Sequence, residues 1–271
     1  MTILVTGATG LVGTRLLPRL VEAGFDVRAL VRQAKPLFAG VTTVEGDILD
    51  PASLRTAVAG VDAVVHLAGL LRTPDVKQIW NVNLEGTRNL IEAVKANAST
   101  ARFIMASTSL VYNVDAPRPS LESDDVAPTR DYPASKVAAE KLLRESGLNW
   151  SVLRYGFVYG DNDGHIAQIP HIAQLLKLHP ANRMSMIHHR DIAVVTKLAL
   201  AGAFDGHIVN TVDDAPMTIL ELSNLAESPI EPSAAPLTNP WSGVIDGTLA
   251  RSLGFTPQIS TTYQAIQESL L

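Results

Sequence analysis

Residues 3–13 read Ile3-Leu4-Val5-Thr6-Gly7-Ala8-Thr9-Gly10-Leu11-Val12-Gly13, and this stretch decides the fold. Ile3-Leu4-Val5 is uniformly apolar, which suits a strand buried on both faces rather than a sheet face in water. Leu11 to Ala23 reads as a helix, and Gly24 closes it as a C-terminal cap. Glycines between the two elements allow positive φ and close approach of a ligand to the backbone. The helix N-terminus offers unpaired N–H groups and a partial positive charge, which suits a pyrophosphate. The glycine spacing departs from G-x-G-x-x-G, but the strand before and the helix after are the context that motif requires. A tight turn without a ligand is the alternative.

Outward from this unit the same rhythm repeats. Val27 to Val31, Val41 to Glu45, Ala63-Val64-Val65, Phe103 to Ala106 and Trp150 to Leu153 read as strands. Asp50-Pro51 marks a helix start, with a capping side chain followed by proline at the first helical position. Asn83 to Ala96 and Lys136 to Glu145 read as helices. Alternation of this kind implies an α/β fold, a doubly wound parallel sheet with helices on both faces. After about residue 156 the rhythm loosens. Four prolines between Ser228 and Pro240 mark a surface meander. The expected partition is a dinucleotide-binding domain over 1–155 and a small substrate-binding region over 156–271, partly interleaved with the sheet.

Composition narrows the function classes. Of 271 residues, 46% are hydrophobic and 18% charged, below the ~25% charged of an ordinary globular protein, which excludes a disordered chain. The absence of cysteine excludes a disulfide scaffold, a thiolate metal site and a cysteine nucleophile. A net charge of -5 argues against nucleic acid as a partner. No run approaches the ~18 apolar residues of a membrane span, and the N-terminus lacks the basic leader of a signal peptide. A cytoplasmic protein without a membrane partner is expected.

The end of the second strand selects between the two nicotinamide dinucleotides. An acid there would bond a ribose 2′-hydroxyl, and an arginine would accommodate a 2′-phosphate. The chain reads Leu30-Val31-Arg32-Gln33-Ala34-Lys35. Arg32, helped by Arg28 or Lys35, favours NADP, with NAD as the alternative. Surface cations in water are the bland reading. Asp47 and Ile48 follow the third strand, where they would hold the edge and face of the adenine.

Tyr132-Pro133-Ala134-Ser135-Lys136 puts a phenol and an ammonium four residues apart, on one face of a helix. A phenol of pKa near 10 is a poor acid–base at pH 7. A nearby ammonium and a cationic nicotinamide would lower that value, so that the phenol exchanges a proton with a carbonyl or alcohol oxygen. Ser107-Thr108-Ser109 follows the fifth strand, and hydroxyls at a strand's carboxyl end face the ligand crevice in this architecture.

In this order, the motifs make the sequence resemble the extended short-chain dehydrogenase/reductase family, the NAD(P)-dependent epimerases and dehydratases. They are Thr6 to Gly13, Gly46-Asp47, His66 to Gly69, Asn83 to Thr87, Ser107 to Tyr112, Tyr132 to Lys136, Leu153 to Gly160 and His188 to Ala193. The resemblance covers nearly the whole chain. It implies Tyr132 as acid–base, Lys136 on the nicotinamide ribose, and Thr108 on the reacting oxygen, with Ser107 and Ser109 as fallbacks. Around the cofactor it implies Gly7, Thr9, Gly10, Leu11, Val12, Leu67, Ala68, Gly69, Asn83 and Tyr155. Ser109, Asn113 and Arg183 are candidate substrate contacts. A homodimer through paired helices is also implied.

Three departures stand out. Tyr155 replaces the family's usual proline and Asn113 its usual glycine, and only residues 156–271 follow the sheet, which is short for a member that handles nucleotide sugars. Histidines 165, 171, 179, 188 and 189 cluster in the second half without a metal-ligand pattern, so no metal is expected. The reading is an oxidoreductase or epimerase acting on a sugar or other hydroxyl or carbonyl substrate. A carbonyl reductase on a small non-sugar substrate is the alternative. A non-catalytic NADP sensor is the alternative of another class, and the retained Thr108, Tyr132 and Lys136 speak against it.

Overall fold

The computed structural model describes residues 1–33 and 36–271. In chain order its elements are β1 (Thr2–Thr6), α1 (Leu11–Glu22), β2 (Asp26–Val31), β3 (Val41–Glu45), α2 (Pro51–Val58), β4 (Ala63–His66), α3 (Val76–Trp80), α4 (Gly86–Asn97), β5 (Arg102–Thr108), α5 (Asp131–Arg144) and β6 (Asn149–Tyr155). There follow β7 (Phe157–Tyr159), α6 (Ile169–Leu176), β8 (Arg183–Met184), β9 (Met186–His188), α7 (His189–Leu200), β10 (Ile208–Thr211), β11 (Met217–Thr218), α8 (Ile219–Leu225), α9 (Thr248–Ser252) and α10 (Thr262–Gln267).

Seven strands pair in the order β10-β6-β5-β4-β1-β2-β3, every pair parallel. The apolar runs of β1 and β4 are buried throughout because helices cover both faces. Alternate residues divide between two cores. Ile3, Val5 and Val65 pack with Leu16, Leu17 and Leu20 of α1 and Ile192 and Val195 of α7. Leu4 and Val64 pack with Leu54 of α2, Leu90 and Val94 of α4, and Leu143 of α5. Each of those leucines, at 1% exposure or less, contributes on the order of 2 kcal/mol. A third core gathers Tyr159, Ile166, Ile169, Met186, Met217, Ile219 and Leu222 from the later elements.

Local signals placed most boundaries. Gly24 takes φ +82, and the Gly24 and Phe25 N–H groups bond the Val21 and Leu20 carbonyls at 2.9 and 3.1 Å, a glycine-closed helix end. The Asp50 side chain caps α2 through the Ala52 N–H.

Four elements differ from the sequence expectation. The helix expected from Asn83 starts at Val76 and passes through a π-helical turn, Asn81–Glu85, before α4. Only Ile79 of α3 is buried, so no apolar stripe announced it. Helix α5 begins at Asp131 rather than Lys136. Pro133 is tolerated because N–H groups of a first helical turn have no intrahelical partner. Beyond residue 156, α7 and β10 continue the winding. β10 pairs with β6 and closes one sheet edge, while α7 packs beside α1 in the first core.

With all seven strands parallel, their carboxyl ends lie along one edge. Strand order reverses between β1 and β4, and this is where a crevice for a ligand opens.

Candidate active site

The segment from Gly7 to Gly13 turns the chain from β1 into α1. Gly7 has φ +67, and a Cβ there would lie 2.6 Å from the Ala68 N. A Cβ on Gly13 would lie 2.8 Å from Ala8 Cα, against backbone that cannot yield. The helix therefore packs directly on its own turn. Gly10 occupies the N-cap position without a side-chain bond, and no acid lies in the first turn. The first N–H groups of this 12-residue helix thus keep their partial positive charge for a ligand. The residues present fit a dinucleotide pyrophosphate here.

A cavity of about 370 Å³ lies beyond this turn, lined by Thr9, Val31, Arg32 and Gln33. Arg32, the residue expected to meet a 2′-phosphate, lines it together with Thr9 of the turn. Arg28 is committed elsewhere: its Nη1 donates to the Ala57 and Ala59 carbonyls at 2.8 and 2.9 Å, closing the end of α2. That corrects its expected role as helper. Lys35 lies outside the described residues. Asp47 accepts from the Leu49 N–H at 2.9 Å. Ile48 is 8% exposed and packs in the second core, filling the space that a Gly86 side chain would need. Neither lines the cavity.

A second cavity, about 210 Å³, opens at the carboxyl ends of β4, β5 and β6. Thr108, Tyr132 and Lys136 line it together, and so do Leu11, Val12, Leu67, Gly69 and Tyr155 from the expected cofactor set. Thr108 stands beside Tyr155 in the parallel register of β5 and β6. Tyr132 and Lys136 sit one turn apart on α5. Ala68 abuts Gly7, and its N–H reaches the Thr6 hydroxyl at 3.3 Å. Asn83, wholly buried in the π turn, ties both Leu70 backbone groups (2.7 and 3.1 Å) and Ser135 Oγ (2.9 Å). It braces the cavity wall without lining it.

Three expected substrate contacts are not brought to this cavity. Ser109 enters a 3₁₀ turn and Asn113 is exposed on the following loop. The Arg183 guanidinium stacks 4.8 Å from the Trp241 ring centroid, a cation–π contact that turns it to the meander instead.

Burial pushes the Tyr132 phenol up to about 12, opposite in direction to the lowering expected of Lys136 and a cationic nicotinamide acting together. Tyr132 is half-buried at the cavity, and the desolvation cost of a phenolate is the cause of the rise. Burial likewise pulls Lys136 down to about 8, against the pull of Glu140. His66 is fully buried between Thr6 (2.7 Å) and Thr87 (2.9 Å). Burial first, and Lys136 second, lower it to about 3, so it is neutral and joins β1, β4 and α4.

Sequence reasoning missed a buried polar network beneath the site. Arg154 pairs with Glu140 through Nη2 at 2.6 Å and Nε at 3.1 Å, both side chains 4% exposed or less. Ser107 Oγ donates to the same carboxylate. Arg154 Nη1 also reaches the Tyr112 hydroxyl at 2.9 Å, which donates to Asn210 Oδ1 at 2.7 Å. The signal was an arginine in an apolar strand, since a buried charge needs a partner. Leu71 from the loop after Leu70 and His165 from the loop after Phe157 also line the cavity. His165 Nδ1 is engaged with the Val158 carbonyl at 2.9 Å.

Among the described residues no group of three or more metal-ligating side chains occurs, and no helix is long and apolar enough to cross a membrane.

Residues 3–210 match the model of the NAD dependent epimerase/dehydratase family. The 3-beta-hydroxysteroid dehydrogenase of Mycolicibacterium neoaurum is 34% identical over 59% of this chain and 48% of its own length. The UDP-glucose 4-epimerase of Erwinia amylovora is 32% identical over 54% of this chain and 48% of its own length. The chain thus spans about half the length of these curated relatives. A short-chain dehydrogenase/reductase superfamily protein from Agrobacterium tumefaciens, solved with bound NAD, superposes with a TM-score of 0.81 at 25% identity, covering 99% of this chain and 96% of that one. The matched model, the seven-stranded parallel sheet and this likeness together place the chain in the NAD dependent epimerase/dehydratase family, within the extended short-chain dehydrogenases/reductases.

Proposed function

We propose that the chain is an oxidoreductase that interconverts an alcohol and a carbonyl, with Tyr132 as acid–base and a nicotinamide dinucleotide as redox partner. The observation that carries this is the convergence of Thr108, Tyr132 and Lys136 on one cavity with Leu11 and Val12 of the α1 N-terminus. A bound dinucleotide supplies or accepts the hydride. The protein moves the proton: in reduction the Tyr132 hydroxyl donates to the carbonyl oxygen, and in oxidation its phenolate takes the alcohol proton. The two candidate hydroxyls of β5 differ in what they have left to give. Ser107 already donates its proton to Glu140. Thr108 Oγ1 accepts from the Leu110 N–H at 3.2 Å, which leaves its own proton for the substrate oxygen. Lys136, buried at the cavity wall, would hold the nicotinamide ribose and bring positive charge toward the phenolate.

The test is isotopic. Incubation with NADPH deuterated at nicotinamide C4 and a panel of ketones is expected to place deuterium on the carbinol carbon of at least one product, read by mass spectrometry. Product without label under both stereospecific deuterations would refute direct hydride transfer.

NADP is the proposed dinucleotide, because Arg32 lines the outer cavity and, among the described residues, no acid does. A charge-assisted bond of about 1.5–3 kcal/mol predicts that Arg32→Ala weakens NADPH binding by about 10- to 100-fold and NADH binding by less than threefold. Fluorescence titration of both nucleotides reads this directly, and equal losses would count against the 2′-phosphate contact.

A further inference from the structure

We infer that the substrate is a neutral ketone or secondary alcohol carried on an apolar chain or ring, and that the site is not built for a nucleotide-linked sugar. The inference rests on the proposed hydride-transfer site and specifies what enters it.

Three observations converge. Leu71, Gly156, Val158 and His165 share the lining of the inner cavity with Thr108 and Tyr132. Lys136, the primary cation of that lining, is buried at 3% exposure beside Glu140. A diphosphate carries charges that proteins meet with arginine forks or clustered N–H groups, and among the described residues no arginine lines this cavity. Three arginines of the neighbouring segments are engaged elsewhere. Arg154 is locked to Glu140, Arg118 forms a two-pronged pair with Asp124 at 2.7 and 2.8 Å, and Arg183 lies on Trp241. Arg72 follows Leu71 but is exposed and outside the lining.

The volume points the same way. About 210 Å³ must also admit the nicotinamide end of the dinucleotide beside Leu11 and Val12, so only the reacting head of a substrate enters and the rest continues outward. What continues outward meets Leu71, 45% exposed at the cavity and otherwise costly to leave in water. Leu110 and Val114, 42% and 46% exposed, extend apolar surface along the segment after β5. One polar group remains: with His165 Nδ1 held by Val158, Nε2 is the ring nitrogen left for a neutral hydroxyl or carbonyl.

Calorimetric titration of the full chain saturated with NADP⁺ tests this. 2-Hexanone, 2-octanone and 2-decanone form one series and UDP-glucose is the comparison. Affinity is expected to rise on the order of threefold per added methylene, with UDP-glucose at least tenfold weaker than 2-decanone. Leu71→Asn, a change at an exposed position, is expected to flatten the series while NADP⁺ affinity stays within twofold. UDP-glucose binding as tightly as 2-decanone, a flat ketone series in the unaltered protein, an unchanged series in Leu71→Asn, or no ketone binding would each overturn the inference. The measurement reads binding alone, so it can fail while deuterium transfer succeeds, and the reverse.

Discussion

Replacing Tyr132 by phenylalanine is expected to lower turnover by about 10²- to 10⁴-fold, the usual contribution of a positioned acid–base, and to leave NADPH affinity within twofold. The phenol lines the inner cavity on the first turn of α5, so losing its oxygen removes a proton donor without emptying the wall. Thr108 cannot substitute, because a secondary hydroxyl orients the substrate oxygen but is too weak an acid to protonate it. Turnover is measured by NADPH absorbance with whichever ketone shows deuterium transfer. Variant turnover within threefold of the parent would remove Tyr132 from the chemistry. Loss of NADPH binding in parallel would make it a cofactor contact instead.

The second large effect concerns stability. Glu140 and Arg154 join α5 to β6 through a two-bonded pair that is buried on both sides. Removing one member of such a pair costs about 3–5 kcal/mol, because the other charge stays buried without its partner. Glu140→Leu and Arg154→Met are each expected to lose that amount in urea denaturation. The double variant is expected to recover much of it, since two apolar side chains leave no charge behind. Additive losses in the double variant would show that the two side chains act separately. Glu140 is also one turn from Lys136 on α5 and holds the Ser107 hydroxyl, so the single variants disturb the base of the catalytic cavity as well as the fold.

How far the sequence could be read depended on how local each signal was. The turn into α1 was legible because an apolar run, glycines and an amphipathic helix follow one another within residues 3–24. The phenol and ammonium of α5 were legible because their four-residue spacing is itself the geometry. β10 was not: its four residues include Asn210, whose side chain is satisfied by Tyr112, Ser120 and Asp246 from distant parts of the chain. Nothing near Arg183 announced Trp241, so an arginine in the substrate region looked available when it was not. His165 and Leu71 reach the cavity from loops far apart in sequence, so the chain marks such loops as candidates without showing that they meet. The phenol's titration was legible only in part. Spacing names the neighbouring charge but says nothing of the desolvation that outweighs it.

The central claim is that the Tyr132 hydroxyl faces the redox end of a dinucleotide seated on the turn from β1 into α1. Phenolate absorbance against pH, taken as the parent protein minus Tyr132→Phe, tests it with and without saturating NADP⁺. Burial holds the free phenol at about 12, and a cationic ring in contact is expected to bring it to roughly 9–11. A titration that stays where it was, or moves higher when NADP⁺ binds, would contradict the account.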